Sequence, residues 1–271
     1  MLSFLFWNIG NKPIQDRIVN LALLYDLDII MLIESSIAPA VLLTSLNKDD
    51  ISSYHYAPSF GCKRVDIFTR FPSKFLTPIS ETDRLTIRSL ALPGSVDILL
   101  AVTHFPSKLY WDESSQGLQC VELSKFIRDA EHEIGHSRTV LVGDFNMNPF
   151  EDGVVSASGL HSVMTRNIAQ KGTRIVQATK HPFFYNPMWG FFGDNQPNPP
   201  GTYYYDSSVQ KVFFWNMFDQ VLIRPDLLPL FDNDNIKILE SDGKISLLSD
   251  TGIPDRENVS DHLPILFRLR L

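Results

Sequence analysis

The sequence predicts an α/β protein with sheets covered by helices. Buried-strand runs alternate with helical periodicity through the first half of the chain, and strands dominate after Gly201. The composition, 44% hydrophobic and 20% charged over 271 residues, provides a large core. Leu2–Trp7 reads as a buried strand. Pro13 opens a helix whose apolar positions Ile14, Ile18, Leu21, Ala22 and Tyr25 fall at helical spacing. Asp28–Ile33 is a second buried strand, and Ala38–Leu46 a second helix. Strands follow at Tyr54–Ala57, Asp66–Thr69, Thr86–Ala91 and Val96–Thr103. A long amphipathic helix fits Gln116–Ile134, then a short buried strand Thr139–Val142. The late strands are Tyr203–Tyr205, Lys211–Trp215, Asp219–Ile223 and Pro264–Leu269. No repeat, flexible linker or composition break divides the chain, so a single domain over residues 1–271 is expected.

Several classes are excluded. No apolar run approaches the roughly 20 residues that span a bilayer. The start MLSFLFWNIGNK carries no basic region and no cleavage site of a signal peptide. Two cysteines, Cys62 and Cys120, make no disulfide framework, and a reduced cytoplasmic chain is the simplest expectation. The net charge of −7 argues against coating nucleic acid by bulk charge.

The informative pattern is at the strand ends. Each buried strand runs into a residue that a dry core would not accept unpaired. The first ends at Asn8, the second at Glu34, a later one at His104. Thr139–Val142 leads into Asp144 and Asn146, and Asp219, Asp261 and His262 stand at the late strands. Ligands of open α/β sheets bind at the carboxyl ends of strands, so these residues are expected to converge. Singly, each has a plainer reading: Asn8 a turn residue, Glu34 a solvated carboxylate, Asp144–Asn146 an Asx turn, His104 and His262 structural histidines, Asp219 a strand cap. Together, the carboxylates and amide oxygens form a hard-oxygen donor set suited to Mg²⁺ or Mn²⁺ rather than zinc. Such an ion suits phosphate chemistry, with the histidines moving protons or holding a phosphoryl group. His55, His132, His136, His161 and His181 are expected to stand outside that chemistry.

The blocks FWNIG, DIIMLIES, AVTHFPSK, LVGDFNMNP, MFDQVLI and VSDHLPIL, in that order, run from residue 4 to residue 267. They resemble the endonuclease/exonuclease/phosphatase superfamily, the deoxyribonuclease-I-like fold. The resemblance implies a four-layered α/β/β/α sandwich with two packed mixed sheets, and Mg²⁺- or Mn²⁺-dependent phosphoester hydrolysis with no other cofactor. It implies that Glu34, with Asn8 and Asp261, holds the metal. Asp144 would orient or deprotonate the attacking water. Asn146, His104 and His262 would contact the phosphate, and Asp219 would hold His262. Arg70, in FTRFP, falls where a substrate contact is often placed. Abasic-site members carry a Gln-Glu-Thr-Lys-like block at the metal Glu. Here it reads Ile33-Glu34-Ser35-Ser36, which counts against a base-excision role.

The substrate has its own signals. Residues 153–193 contain no acid but carry Arg166, Lys171, Arg174 and Lys180. Residues 183–218 hold thirteen of the thirty-one aromatics, Phe184, Trp189 and Phe192 being the candidates for a substrate-facing lid. Basic residues followed by rings suit single-stranded nucleic acid, with phosphates on Arg166, Lys171 and Arg174 and bases on rings such as Trp189. The expected partner is therefore a nucleic acid substrate, DNA or RNA. A phosphatase on a small or lipid phosphoester and a non-catalytic binding protein remain the alternatives.

Overall fold

The computed structural model describes residues 1–48, 53–108, 111–194 and 199–271. It is a sandwich of two mixed sheets. The first contains β1 (Leu2–Asn8), β2 (Ile29–Ile33), β3 (His55–Tyr56), β4 (Val65–Thr69), β16 (Ile236–Ile238) and β17 (Ile265–Leu269), in the order β16-β17-β1-β2-β4-β3. The second contains β5 (Leu76–Thr82), β6 (Leu85–Leu90), β7 (Ile98–His104), β8 (Thr139–Asp144), β9 (Ser162–Val163), β12 (Phe184–Tyr185) and β15 (Asp219–Ile223), in the order β5-β6-β7-β8-β15-β12-β9. Two hairpins stand outside them: β10 (Thr173–Val176) with β11 (Thr179–Pro182), and β13 (Tyr203–Tyr205) with β14 (Phe214–Asn216). The main helices are α1 (Gln15–Tyr25), α2 (Pro39–Leu46) and α3 (Glu113–Ile134).

The alternation of side chains along a strand builds the layers. In β7, Ile98, Leu100 and Val102 join the large core shared with the first sheet, while Leu99 and Ala101 face a second cluster. β8 and β15 divide likewise: Val140, Val142, Val221 and Ile223 face inward, and Leu141 and Leu222 outward. α3 covers that outer face with Cys120, Leu123, Ile127 and Ala130, spaced three and four apart. Its ends are set locally. Asp112 accepts a hydrogen bond from the Ser115 amide at 2.8 Å, and Gly135 takes a left-handed φ of 80°. On the opposite face, α1 lays Ile18, Leu21 and Ala22 on the first sheet's core.

The predicted strands and helices are present with ends shifted by a few residues; the Lys211–Trp215 strand narrows to Phe214–Asn216. β5 had no counterpart in the sequence reading. Its run, LTPISET, is polar and carries a proline because it is an edge strand, hydrogen-bonded among the described residues to β6 alone. No helix among the described residues is long and apolar enough to cross a membrane.

One ion pair ties a connector of the first sheet to the second. Glu81 Oε1 lies 3.1 Å from buried Arg88 Nη2 and accepts from Ser59 and Thr86 at 2.7 and 2.9 Å. Glu81 Oε2 accepts from the amides of Phe60 and Gly61 at 3.0 and 2.8 Å. Burial works against the charge, but these donors outweigh it and hold the carboxyl below its ordinary range. The Glu81→Ala variant should therefore lose about 3 kcal/mol in urea unfolding at neutral pH. A depressed carboxyl contributes stability above its unfolded value and loses it as the pH falls through the folded one. The gap between wild type and variant should accordingly close on acidification.

Candidate active site

The polar strand ends meet along one edge of the sandwich. Asn8 ends β1 and sits beside Ile33, the last residue of parallel β2, so Glu34 emerges next to it. In the second sheet His104, Asp144 and Asp219 form one row, His104 paired with Asp144 and Asp144 with Asp219. β17 runs antiparallel to β1, so Asp261 and His262, just before it, pass the end of β1. These strands are apolar and buried along their length, and polar side chains appear where they leave the core.

A hydrogen-bonded chain links the two sheets. His262 Nδ1 is 2.7 Å from Asp219 Oδ2, and its Nε2 is 3.9 Å from Asp144 Oδ2. Asp144 Oδ2 accepts from Asn8 Nδ2 at 3.1 Å, and Oδ1 from the Asn146 amide at 2.8 Å. Glu34 Oε1 lies 3.3 Å from His104 Nε2. Trp7 Nε1 donates to the His262 carbonyl at 2.9 Å, and Ser260 Oγ donates to the Asn8 carbonyl at 2.8 Å, fixing the backbones that present the site. Glu34 and Asn146 both adopt left-handed backbone, with φ of 48° and 50°. For Glu34 that conformation costs roughly 1–3 kcal/mol, as is common where a side chain is held for function.

The electrostatics divide the site into a dry floor and a wet rim. Asp144, Asp219 and His262 are buried, whereas the side chains of Glu34 and Asp261 are each 36% exposed. Burial opposes the His262 charge, but Asp219 and then Asp144 outweigh it and raise the imidazole above its ordinary range. Burial raises the Asp144 carboxyl, against the pull of His262. The hydrogen bond from His104 leads in lowering Glu34, against burial.

Donor atoms of Asp144, Asp219 and His262 lie within 4.8 Å of one another. Distance alone would admit a cation there, but His262 Nδ1 is already engaged by Asp219 and all three side chains are buried away from the water such an ion keeps. The rim fits a divalent cation better. Glu34 and Asp261 flank the turn after Asn8: the Asn11 amide donates to the Glu34 carbonyl at 2.7 Å, and a Cβ on Gly10 would lie 3.2 Å from Asp261 Oδ1. Gly10, with φ of 53°, lets that carboxylate approach the turn. The donors are hard oxygens in contact with water, as Mg²⁺ and Mn²⁺ prefer.

The structure brings together Asn8, Glu34, His104, Asp144, Asn146, Asp219, Asp261 and His262. Asn146 is partly committed, since its Nδ2 donates to the Phe105 carbonyl at 2.9 Å. Arg70 is not at the site. It follows antiparallel β4 and pairs with Asp26 at 2.6 Å and Asp28 at 3.7 Å, at the far end of β2. Arg166 is structural: it donates to the carbonyls of Leu228 and Phe231 at 2.6 and 3.1 Å. Phe184 is wholly buried under α3 and is no lid. Trp189 and Phe192 instead join Phe150 and Phe213 in a partly exposed aromatic patch, with ring centroids 5.2 to 6.2 Å apart. Lys171 and Arg174 line a cavity with Trp189 at the sheet edge. The sequence reading missed one ring beside the site. Tyr203 packs 4.8 Å from the His262 ring and stacks on Phe218 at 5.2 Å. Only the bridge between Tyr203 and His262, a tertiary contact, reveals it.

Because Asp219 is the main support of the His262 charge, the Asp219→Asn variant should lower the His262 pKa by about 1–3 units. A histidine ring titration followed by NMR checks this. The sign for stability follows: a raised imidazole adds stability that is complete below its ordinary value and lost as the pH rises through the folded one. The variant should lose stability most below that ordinary value.

No family model and no curated protein sequence matches this chain. Solved structures do. An endonuclease/exonuclease/phosphatase family protein from Leptotrichia buccalis C-1013-b superposes with a TM-score of 0.59 at 16% identity, over 100% of both chains. The endonuclease domain of TRAS1, a telomere-specific non-LTR retrotransposon, gives 0.56 at 14% identity, over 100% of this chain and 99% of that one. D. rerio TDP2 complexed with a single-strand DNA product gives 0.54 at 17% identity, over 98% and 97%. With its two packed mixed sheets, the chain has the fold of these structures, the deoxyribonuclease-I-like fold.

Proposed function

We propose that the protein is a divalent-metal-dependent phosphodiesterase, a nuclease acting on single-stranded or flexible DNA or RNA. The observation that carries this is the convergence of Glu34, Asp144 and His262, each at or beside the end of a different strand, on one edge where Asn8 bonds Asp144 and His104 stands 3.3 Å from Glu34. The neighbours' fold supports it. TDP2 is described with a single-strand DNA product, and NExo from Neisseria as a 3′ phosphatase bound to a product DNA hairpin.

In this reading Glu34, Asp261 and Asn8 hold the ion. When bound, Mg²⁺ or Mn²⁺ neutralises phosphate oxygens and stabilises charge on the attacking or leaving oxygen. The chain's own groups do the rest. Asp144, anchored by Asn8 and the Asn146 amide, would orient a water in line with the phosphorus and accept its proton as the water oxygen bonds phosphorus and the P–O bond to the leaving oxygen breaks, that oxygen taking its proton from solvent. His262, held as imidazolium by Asp219, donates from Nε2 to a phosphate oxygen. Asp219 keeps the ring's orientation, the role of a carboxylate behind a catalytic histidine. His104, bonded to Glu34 through Nε2, helps fix that carboxylate at the rim. The patch of Phe150, Trp189, Phe192 and Phe213 offers faces on which unpaired bases stack, each worth about 1–3 kcal/mol.

Labelled single-stranded oligonucleotides should be degraded with Mg²⁺ or Mn²⁺, and chelator should abolish the activity. The Asp144→Asn variant should retain its fold and lose about 10²–10⁴-fold in turnover. Glu34→Gln should raise the metal concentration needed for half-maximal rate. Intact oligonucleotides alongside phosphate release from small phosphoesters would instead favour a phosphatase.

A further inference from the structure

The edge of the second sheet carries a cavity of about 570 Å³ that contains none of the catalytic residues. That volume is within the range of small-molecule sites. β9, the short helix Arg166–Ala169 and the β10–β11 hairpin contribute its walls, and Trp189 belongs both to it and to the aromatic patch. Among the described residues, seven buried side-chain polar atoms lack a hydrogen-bond partner, and three belong to residues of this cavity: His161 Nε2, Ser162 Oγ and Trp189 Nε1. His161 and Ser162 are each only 3% exposed. Buried polar atoms are rarely left unpaired, so three within residues that line one cavity single this wall out.

Their chemistry is complementary. His161 Nδ1 lies 3.2 Å from the Pro182 carbonyl and must be the protonated nitrogen, since a carbonyl only accepts. Nε2 of the neutral ring is then a bare acceptor. Trp189 Nε1–H is a donor, and the Ser162 hydroxyl serves as either. The walls mix the rings of Phe183 and Trp189 with the aliphatic Val155, Val163, Met164 and Ile168. Phe183 stacks on His161 with centroids 4.1 Å apart, and buried Arg224 clamps the Pro182 and Phe183 carbonyls at 3.3 and 3.1 Å. Lys171 and Arg174 supply positive charge, and neither is in a salt bridge among the described residues. The segment 153–193, which forms the cavity, contains no acid.

We propose that this cavity is a second, non-catalytic nucleotide site, with a base against Phe183 and Trp189 and its phosphate on Lys171 and Arg174. An acceptor, a donor and a hydroxyl carried by residues that line the cavity beside the Trp189 ring match the edge of a nucleobase, and guanidinium and ammonium groups match phosphate. Two sources carry that chemistry: a nucleotide of a strand lying across the aromatic patch, or a free mononucleotide. The first source rests on the nuclease reading; the cavity's chemistry does not.

The test is calorimetric titration of the full chain in chelator, so that turnover plays no part. The probes are adenosine monophosphate, adenosine, inorganic phosphate and a short oligoadenylate. Adenosine monophosphate should bind more tightly than adenosine or phosphate alone. Arg174→Glu should weaken its binding about tenfold or more while sparing adenosine. Trp189→Ala should weaken both, and Ser162→Ala, a gentler change, should weaken both less. If Arg174→Glu also weakens oligoadenylate, the strand is the source; if it spares oligoadenylate alone, the source is the free nucleotide. No binding of adenosine monophosphate, binding indifferent to all three variants, or phosphate binding as tightly as the nucleotide would overturn the site. Nucleotide binding without wild-type hydrolysis of oligonucleotides under Mg²⁺ would leave the site standing and remove the nuclease reading. The reverse pair of results would remove only the site.

Discussion

A buried imidazolium held between two buried carboxylates is the constraint from which the rest of the site follows. His262 is 2.7 Å from Asp219 and 3.9 Å from Asp144, and all three side chains are out of water. Taking such charges from water is costly unless each finds its partner in good geometry. Asp144 and Asp219 belong to the second sheet, whereas His262 comes from the loop entering the first. The electrostatic requirement therefore also fastens the two sheets at this edge. Any change that shifted one sheet along the other would strand a charge in the interior. The polar floor is thus held to one geometry by the same penalty that makes it expensive.

The strand ends were legible because the chain alternates so plainly between apolar runs and turns. Phe4–Trp7 and Ile29–Ile33 are buried throughout, so Asn8 and Glu34 had to mark the exits. What the sequence could not provide was direction. FTRFP also follows a strand, yet β4 is antiparallel to β2, and Arg70 emerges at the opposite end beside Asp26 and Asp28. Sheet order and strand sense are tertiary facts, and they alone separate Arg70 from Glu34.

The basic, acid-free stretch shows the same limit at shorter range. Arg166 and Lys171 are five residues apart. Arg166, at the start of a short helix, turns toward the carbonyls of Leu228 and Phe231 and closes that part of the fold. Lys171, past the helix end, reaches the cavity with Arg174. Charge predicted a phosphate track, but backbone geometry divided its members between packing and surface. The aromatics divide in the same way: Phe184 and Tyr185 pair with β9 and are buried, while the Pro187–Phe191 turn returns Trp189 toward Phe150.

The distribution of charge gives the site a sign problem that its geometry answers. Four carboxylates, Glu34, Asp144, Asp219 and Asp261, meet one imidazolium, so the bare edge repels a phosphodiester. Asp144 and Asp219 are partly compensated by His262 in a medium where water screens little. Glu34 stands 3.3 Å from His104 and Asp261 3.9 Å from exposed Arg256, and these two carboxylates reach solvent. In the proposed reading, a divalent cation at that rim would offset part of the remaining excess. It can do so without entering the buried trio, whose proton balance the proposed water activation needs. The separation of rim from floor is therefore more than a consequence of burial. In the proposed reading it would let one edge carry enough negative charge to hold a cation and still present a proton acceptor and a positive donor to the same phosphate.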